Sequence, residues 1–196
     1  MGFLQLPQNL GVVQRVAAWH FDDALREMTA KVMLVPQDFE VPVLLETDRV
    51  RLRPLLIGDV KKDFEAVVSS EEHLRKTFRP GSKWPKGLSL DKNLADLQWH
   101  QDEFAQRTSF TYTVVALDES EVLGCLYIYP CKVPEYDAQV WLWIRQSRLD
   151  DGLDDHLFAT VENWIEVNWP FERTVYPGRS ISHEDWRLLN SGSAGE

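Results

Sequence analysis

What most constrains this chain is a change of hydrophobic period between residues 90 and 144. Leu90, Leu94, Leu97 and Phe104 recur at helical spacing and predict an amphipathic helix with those four as its apolar stripe. From Ser109 the pattern turns to β-branched and aromatic residues: Ser109–Leu117 reads as a strand, Asp118 to Ser120 as a turn, and Val122–Tyr129 as the returning strand of a hairpin. Gly124, inside that second strand, marks a bulge or a close backbone approach. In Ala138–Ile144 the alternation is strict, with Ala138, Val140, Leu142 and Ile144 on one side and Gln139, Trp141 and Trp143 on the other. Three strand-type runs bordered by helical segments require a sheet that carries helices.

The flanking segments complete the order. Val50 and Leu52 alternate with Arg49, Arg51 and Arg53 in a half-buried strand that Pro54 stops. Asp59 caps a helix running to about Ser70, with Val60, Phe64, Val67 and Val68 at helical spacing. Arg79–Gly87 is an irregular loop by its proline and glycine content. Beyond the third strand, Leu157, Phe158, Val161, Trp164 and Ile165 predict a helix that Pro170 ends. A short strand (Arg173–Tyr176), a Pro177-Gly178 turn and a closing helix (His183–Leu189) follow. The expectation is an α/β domain over residues 46–189 with a mixed sheet. Residues 1–45 form an N-terminal extension with a short helix at Ala17–Met28, packed on the domain or on a second copy of the chain, which would make a homodimer. Residues 190–196 form a disordered tail.

Charge and cysteine usage narrow the function. With 21 Lys and Arg against 31 Asp and Glu, the 196-residue chain carries a net charge of −10. That balance argues against a dedicated nucleic-acid or anionic-membrane partner, whose recognition rests on basic patches. No window approaches about 18 consecutive apolar residues, and Met1–Leu10 lacks the basic start of a secretory signal. Cys125 and Cys131 lie roughly 20 Å apart along a straight strand, beyond disulfide reach, so a reducing, cytoplasmic location is expected. His20, His73, His100, His156 and His183 show no metal-ligand spacing, and no metal is expected.

Three segments in this order resemble the GCN5-related N-acetyltransferase family. Leu45-Glu-Thr-Asp-Arg-Val-Arg-Leu-Arg-Pro-Leu55 is similar to the phrase that begins the first strand of some members. Glu121-Val-Leu-Gly-Cys-Leu-Tyr-Ile-Tyr-Pro130 resembles the third strand, and Trp141-Leu-Trp-Ile-Arg145 with its following turn and helix resembles the element that holds acetyl-coenzyme A. The resemblance covers about Leu45 to Leu189. It implies acetyl transfer from acetyl-coenzyme A to a small-molecule or peptide amine acceptor, with a non-catalytic binding module on the same fold as the alternative.

The resemblance also assigns residues. The pantetheine arm would bond to freed backbone at Trp143, Ile144 and Arg145, and the pyrophosphate would rest on the helix start formed by Arg148, Asp151, Gly152, Leu153 and Asp154. The family turn reads Arg or Gln, two residues, Gly, one residue, Gly or Ala. Laid on it, Leu149 and Asp154 depart and Gly152 matches. Asp150, Asp151, Asp154 and Asp155 put four carboxylates where phosphates would lie, a repulsion that Arg145 and Arg148 could offset, unless the aspartates simply cap the helix. The family's acid is often a tyrosine on the closing helix. Here Ser182 is the candidate substitute, beside His183. Tyr127 could face the acceptor or pack with Tyr129, and Glu135, with Asp137, could supply a base or be solvated. Arg79, Lys83, Trp84 and Lys86 could close over an anionic or aromatic acceptor, or form a surface loop. The family's last two strands have no counterpart after the closing helix, so the extension or a second subunit would supply that wall.

Overall fold

In the computed structural model of the chain, which describes residues 33–78 and 83–192, the alternating segments form one six-stranded sheet in chain order. Its strands are β1 (Leu45–Glu46), β2 (Arg51–Pro54), β3 (Phe110–Val115), β4 (Val122–Pro130), β5 (Ala138–Ile144) and β6 (Thr174–Val175). β1 to β5 are antiparallel, with Leu52 opposite Val114, Tyr112 opposite Leu126 and Leu126 opposite Leu142. β6 runs parallel to β5 and pairs with it only at Ala138–Thr174 and Gln139–Val175. The helices are α1 (Val60–Ser69), α2 (Glu71–Thr77), α3 (Leu90–Gln106), α4 (Leu153–Asn168) and α5 (His183–Gly192). This is the expected α/β arrangement, a mixed and mostly antiparallel sheet flanked by helices.

The two faces of β5 sort the core. Val140, Leu142 and Ile144 join Phe110, Tyr112 and Leu126 under Leu157, Val161 and Trp164 of α4. Trp141 and Trp143 point the other way, against Ala66 and Val67 of α1, Leu74 of α2 and Trp186 of α5. Each such side chain contributes roughly 1.5–3 kcal/mol by leaving water. Residues 33–44 settle on their own domain: Val35 enters the first core, Tyr112 donates to the Pro42 carbonyl at 2.6 Å, and Arg107 donates to the carbonyls of Pro36 and Phe39. The predicted helix at Ala17–Met28 lies outside the described residues, and α5 extends past Leu189 to Gly192.

Only half of the apolar stripe expected on α3 is inward: Leu97 is buried and Phe104 packs on Phe110 and Tyr112. Leu90 and Leu94 are exposed, whereas Asn93, Asp96, His100 and Glu103 are buried beside Leu97. The reason lies in β3, whose alternation places Ser109, Thr111 and Thr113 on the side that α3 covers. His100 Nδ1 and Thr111 Oγ1 lie 3.0 Å apart, Ser109 donates to the Glu103 carboxylate, and Asn93 donates to Asp63 of α1 at 2.8 Å. A polar stripe on the helix thus meets a polar row on the strand, and the bonds of His100, Glu103 and Asn93 avoid the roughly 1–3 kcal/mol that each of those groups would cost unbonded. α2 was not foreseen, although Glu71 and Glu72 at its start and Arg75 and Lys76 at its end suit the helix dipole.

Candidate active site

The site opens where β6 leaves β5. Since the two strands pair only at Ala138 and Gln139 while β4 accompanies β5 along its whole length, the β6-facing edge of Val140–Ile144 has no strand partner among the described residues. A cavity of about 440 Å³ occupies the gap. Val140, Trp141 and Leu142 form its floor, His73, Lys76 and Thr77 of α2 one wall, and Asp154, Arg179 and His183 the other. Gly178 makes the turn that brings Arg179 and His183 in. Its φ is +80°, and a Cβ there would lie 2.6 Å from the His183 ring, so both conformation and space demand glycine. The His183 ring stacks on Trp141 with centroids 6.1 Å apart.

Two of the four carboxylates of the acidic turn meet arginines from distant segments. Arg179 donates to Asp154 at 2.8 Å and lies over the Phe158 ring at 5.0 Å. Arg49 donates to the Asp151 carbonyl at 2.9 Å, and its guanidinium lies 3.7 Å from the Asp151 carboxylate. Asp150 and Asp155 face solvent. Gly152, in the left-handed region, is the N-cap residue of α4, and Asp151 accepts from the Leu153 amide at 3.2 Å. Among the described residues, the amides of Asp154 and Asp155 have no acceptor, as expected for the first turn of a helix. The cleft therefore offers an open backbone edge at one end, amides and a guanidinium at the other, and on the facing wall Lys76, whose ammonium pairs with Glu72 at 2.8 Å. Those groups fit a ligand that is amide-bearing along its length and phosphorylated at its end.

The residues assigned from sequence distribute unevenly around this cleft. Asp154 lines it. Trp143 and Ile144 bury their side chains and present only backbone. Arg145 is drawn away, donating to Glu65 at 2.6 Å and Glu121 at 3.0 Å, and its amide bonds to the Leu123 carbonyl. Arg148 pairs with Glu121. Of the two arginines expected to offset the turn, Arg148 does reach the Asp151 carboxylate, at 4.0 Å, whereas Arg145 is held by Glu65 and Glu121; Arg49 and Arg179 make the closer contacts. Ser182 caps α5, accepting from the Asp185 amide at 3.1 Å and donating to its carboxylate at 2.6 Å. Tyr127 accepts from Trp143 Nε1 at 3.3 Å and stacks on Tyr129; burial pushes its phenol well above the usual range. Glu135 is exposed in its loop and Asp137 accepts the Glu172 and Arg173 amides, so neither lines the cleft.

His73 is the residue sequence reading passed over. Burial lowers its pKa below the ordinary histidine value, so the ring is neutral at physiological pH. Its ring sits beside Thr77 Oγ1 at 3.3 Å. Only the charge pattern of Glu71–Lys76 hinted that a helix would carry it here. Among the described residues no group of three potential ligands gathers to hold a metal, and no helix is long and apolar enough to cross a membrane.

No protein-family model matches the chain, and no curated protein matches it. Solved structures do. A ribosomal-protein-S5-alanine acetyltransferase from Vibrio fischeri superposes with a TM-score of 0.57 at 13% identity, over 78% of this chain and 82% of that one. The microcin C7 self-immunity acetyltransferase MccE, solved with acetyl-CoA and AMP, gives 0.56 at 9% identity over 76% and 79%. A structure described as a GnaT-family acetyltransferase from Bordetella pertussis gives 0.50 at 17% identity over 76% and 87%. The chain has the GCN5-related N-acetyltransferase fold.

Proposed function

We propose that this protein transfers an acetyl or similar acyl group from coenzyme A to an amine acceptor, a small molecule or a peptide. The observation that carries the reading is the unpaired β5 edge leading to the N-terminus of α4. Bound acetyl-coenzyme A supplies a thioester whose carbonyl carbon accepts the amine and whose sulfur departs. Val140–Ile144 offer alternating N–H and C=O groups to an amide-bearing arm. The free amides of Asp154 and Asp155 receive phosphate oxygens, and Arg179 and Lys76 supply the positive charge that the family's arginine or glutamine would give. Neutral His73 accepts the proton that the acceptor ammonium must lose.

The solved acetyltransferases of this fold support the reading, and one of them was determined with acetyl-CoA bound. Titration of the folded protein with acetyl-coenzyme A at low and moderate salt tests it. Saturable heat in the micromolar range is the expected result. No heat at either salt would instead favour a non-catalytic module.

A further inference from the structure

A second cavity, of about 350 Å³, lies outside the cleft, where the loop before α3 turns back on itself. Its floor is apolar, made by Trp84, Pro85 and Leu88, and its rim carries Lys83, Lys86 and Lys92. Elsewhere in the described chain Arg49, Arg51, Arg53, Arg145, Arg148 and Arg179 each face a carboxylate. These three lysines have no carboxylate within ion-pair distance among the described residues. In a protein of net charge −10, three uncompensated ammonium groups around one hollow repel one another and attract an anion.

The frame holding the lysines is built. The Lys86 amide donates to the Lys83 carbonyl at 2.8 Å and the Leu88 amide to the Pro85 carbonyl at 2.9 Å, so two successive turns set Lys83 and Lys86 on one rim. Ser89 caps α3 by accepting from the Lys92 amide, and the next residue, Asn93, ties the helix to Asp63. Beneath, Trp84 meets Phe78 edge-on at 5.5 Å, and Phe78 in turn lies 6.1 Å from Trp141, the floor of the catalytic cleft. Phe78 therefore contacts one lining residue of each cavity, Trp84 and Trp141.

We infer that the lysine-rimmed pocket binds an anionic group carried on a flat ring, a phosphomonoester or dicarboxylate, and that it holds the tail of the acceptor whose amine enters the cleft. The indole and proline receive the ring, and the ammonium groups receive the charge. Only the word "acceptor" depends on the acyl-transfer reading; the binding does not.

The test is calorimetric titration of the full chain with phenyl phosphate and with isophthalate, beside inorganic phosphate and benzyl alcohol as partial probes. Saturable binding of either aromatic anion, at least tenfold tighter than both partial probes, is expected; the better of the two identifies the anion class. K86E and the K83A/K92A pair, all surface changes, should each weaken that binding tenfold or more while thermal unfolding stays unchanged. Absence of saturable binding to folded protein, equal affinity for inorganic phosphate, or affinity unmoved in both variants overturns the proposal. A parallel acetyl-coenzyme A titration separates the two claims. Acetyl-coenzyme A binding without aromatic-anion binding sinks the pocket alone, and the converse sinks the transfer reading alone.

Discussion

The Arg179 guanidinium and the Asp154 carboxylate meet at 2.8 Å across the mouth of the cleft, joining the turn after β6 to the first turn of α4. This contact answers part of the electrostatic objection raised by the acidic turn, since it neutralises the one aspartate of the four that lines the cleft. It also sets up an exchange, because an incoming phosphate and Asp154 compete for the same guanidinium.

That competition fixes the signs of two substitutions. Asp154→Asn removes the competitor and a like charge while keeping the side-chain shape, so acetyl-coenzyme A should bind several-fold tighter, about 1 kcal/mol for a partly exposed pair. Arg179→Ala removes the counter-charge, and binding should weaken by roughly tenfold, with a flatter salt dependence. Calorimetry at two salt concentrations reads both. Equal affinities in the wild type and both variants would remove Arg179 from the phosphate end.

His73 should govern the pH profile. Burial lowers its pKa below the ordinary histidine value, so the ring stays neutral until the medium is distinctly acidic. Protonation then abolishes its capacity to accept a proton. Acetylation rate should therefore be flat near neutrality and fall as the pH drops through the His73 pKa. His73→Ala should lower kcat by about 100-fold or more and remove that acid limb. A variant with full kcat, or one retaining the limb, would exclude His73 as the base.

The strands were legible because their signal is local. The alternation of Ala138–Ile144 placed each side chain of β5 on its observed face, and the sheet class followed. Half of the α3 stripe was misread because Leu90 and Leu94 look like core residues until one knows that Thr111 and Ser109 lie opposite. A helix pattern says which residues share a face, but the partner decides which face is buried. The cleft was legible as a place, through Trp141–Arg145 and the turn beyond, and not as a set of side chains. Arg179 reaches Asp154 across 25 residues and Arg49 reaches Asp151 across 102, and nothing local announces either contact. The same range explains Arg145, whose partner Glu65 lies on α1, 80 residues away.

Asp63 predicts a pH-dependent stability of unusual sign for a carboxylate. Its side chain is buried between α1, α3 and β4, accepting from Asn93 at 2.8 Å and from the Cys125 thiol at 3.6 Å. Desolvation, with help from the charges of Asp59 and Asp96, pushes its pKa up to about 6 from the ordinary aspartate value of about 3.8. The folded state then binds more protons than the unfolded state between these values, so this group's stabilising effect is complete below about pH 4 and is lost as pH rises through 6. The ionised form costs about 3 kcal/mol at most above that range. Asp63→Asn should therefore be more stable than wild type at pH 8, and by only about half that margin at pH 5. Urea unfolding at the two pH values compares them; a gap that does not widen with pH would mean that Asp63 is not the titrating group.

Gly124 offers the sharpest test of the sheet itself. It sits opposite Ile144 in the β4–β5 pair, next to the register shift between Val114 and Val115, and a Cβ built on it would fall 1.9 Å from the Trp143 carbonyl oxygen. The obstructing atom is backbone, so no side chain can swing aside, and the two strands must separate where β5 forms the cleft floor. Gly124→Ala should destabilise the protein by about 3 kcal/mol or more. Because the damage falls on Trp143 and Ile144, acetyl-coenzyme A binding should also weaken in whatever fraction stays folded. Gly58→Ala is the matched control, since a Cβ there meets nothing within 4 Å, and its unfolding midpoint should stay within experimental error of wild type. Equal midpoints for the two alanine variants would refute the close approach of β4 to β5.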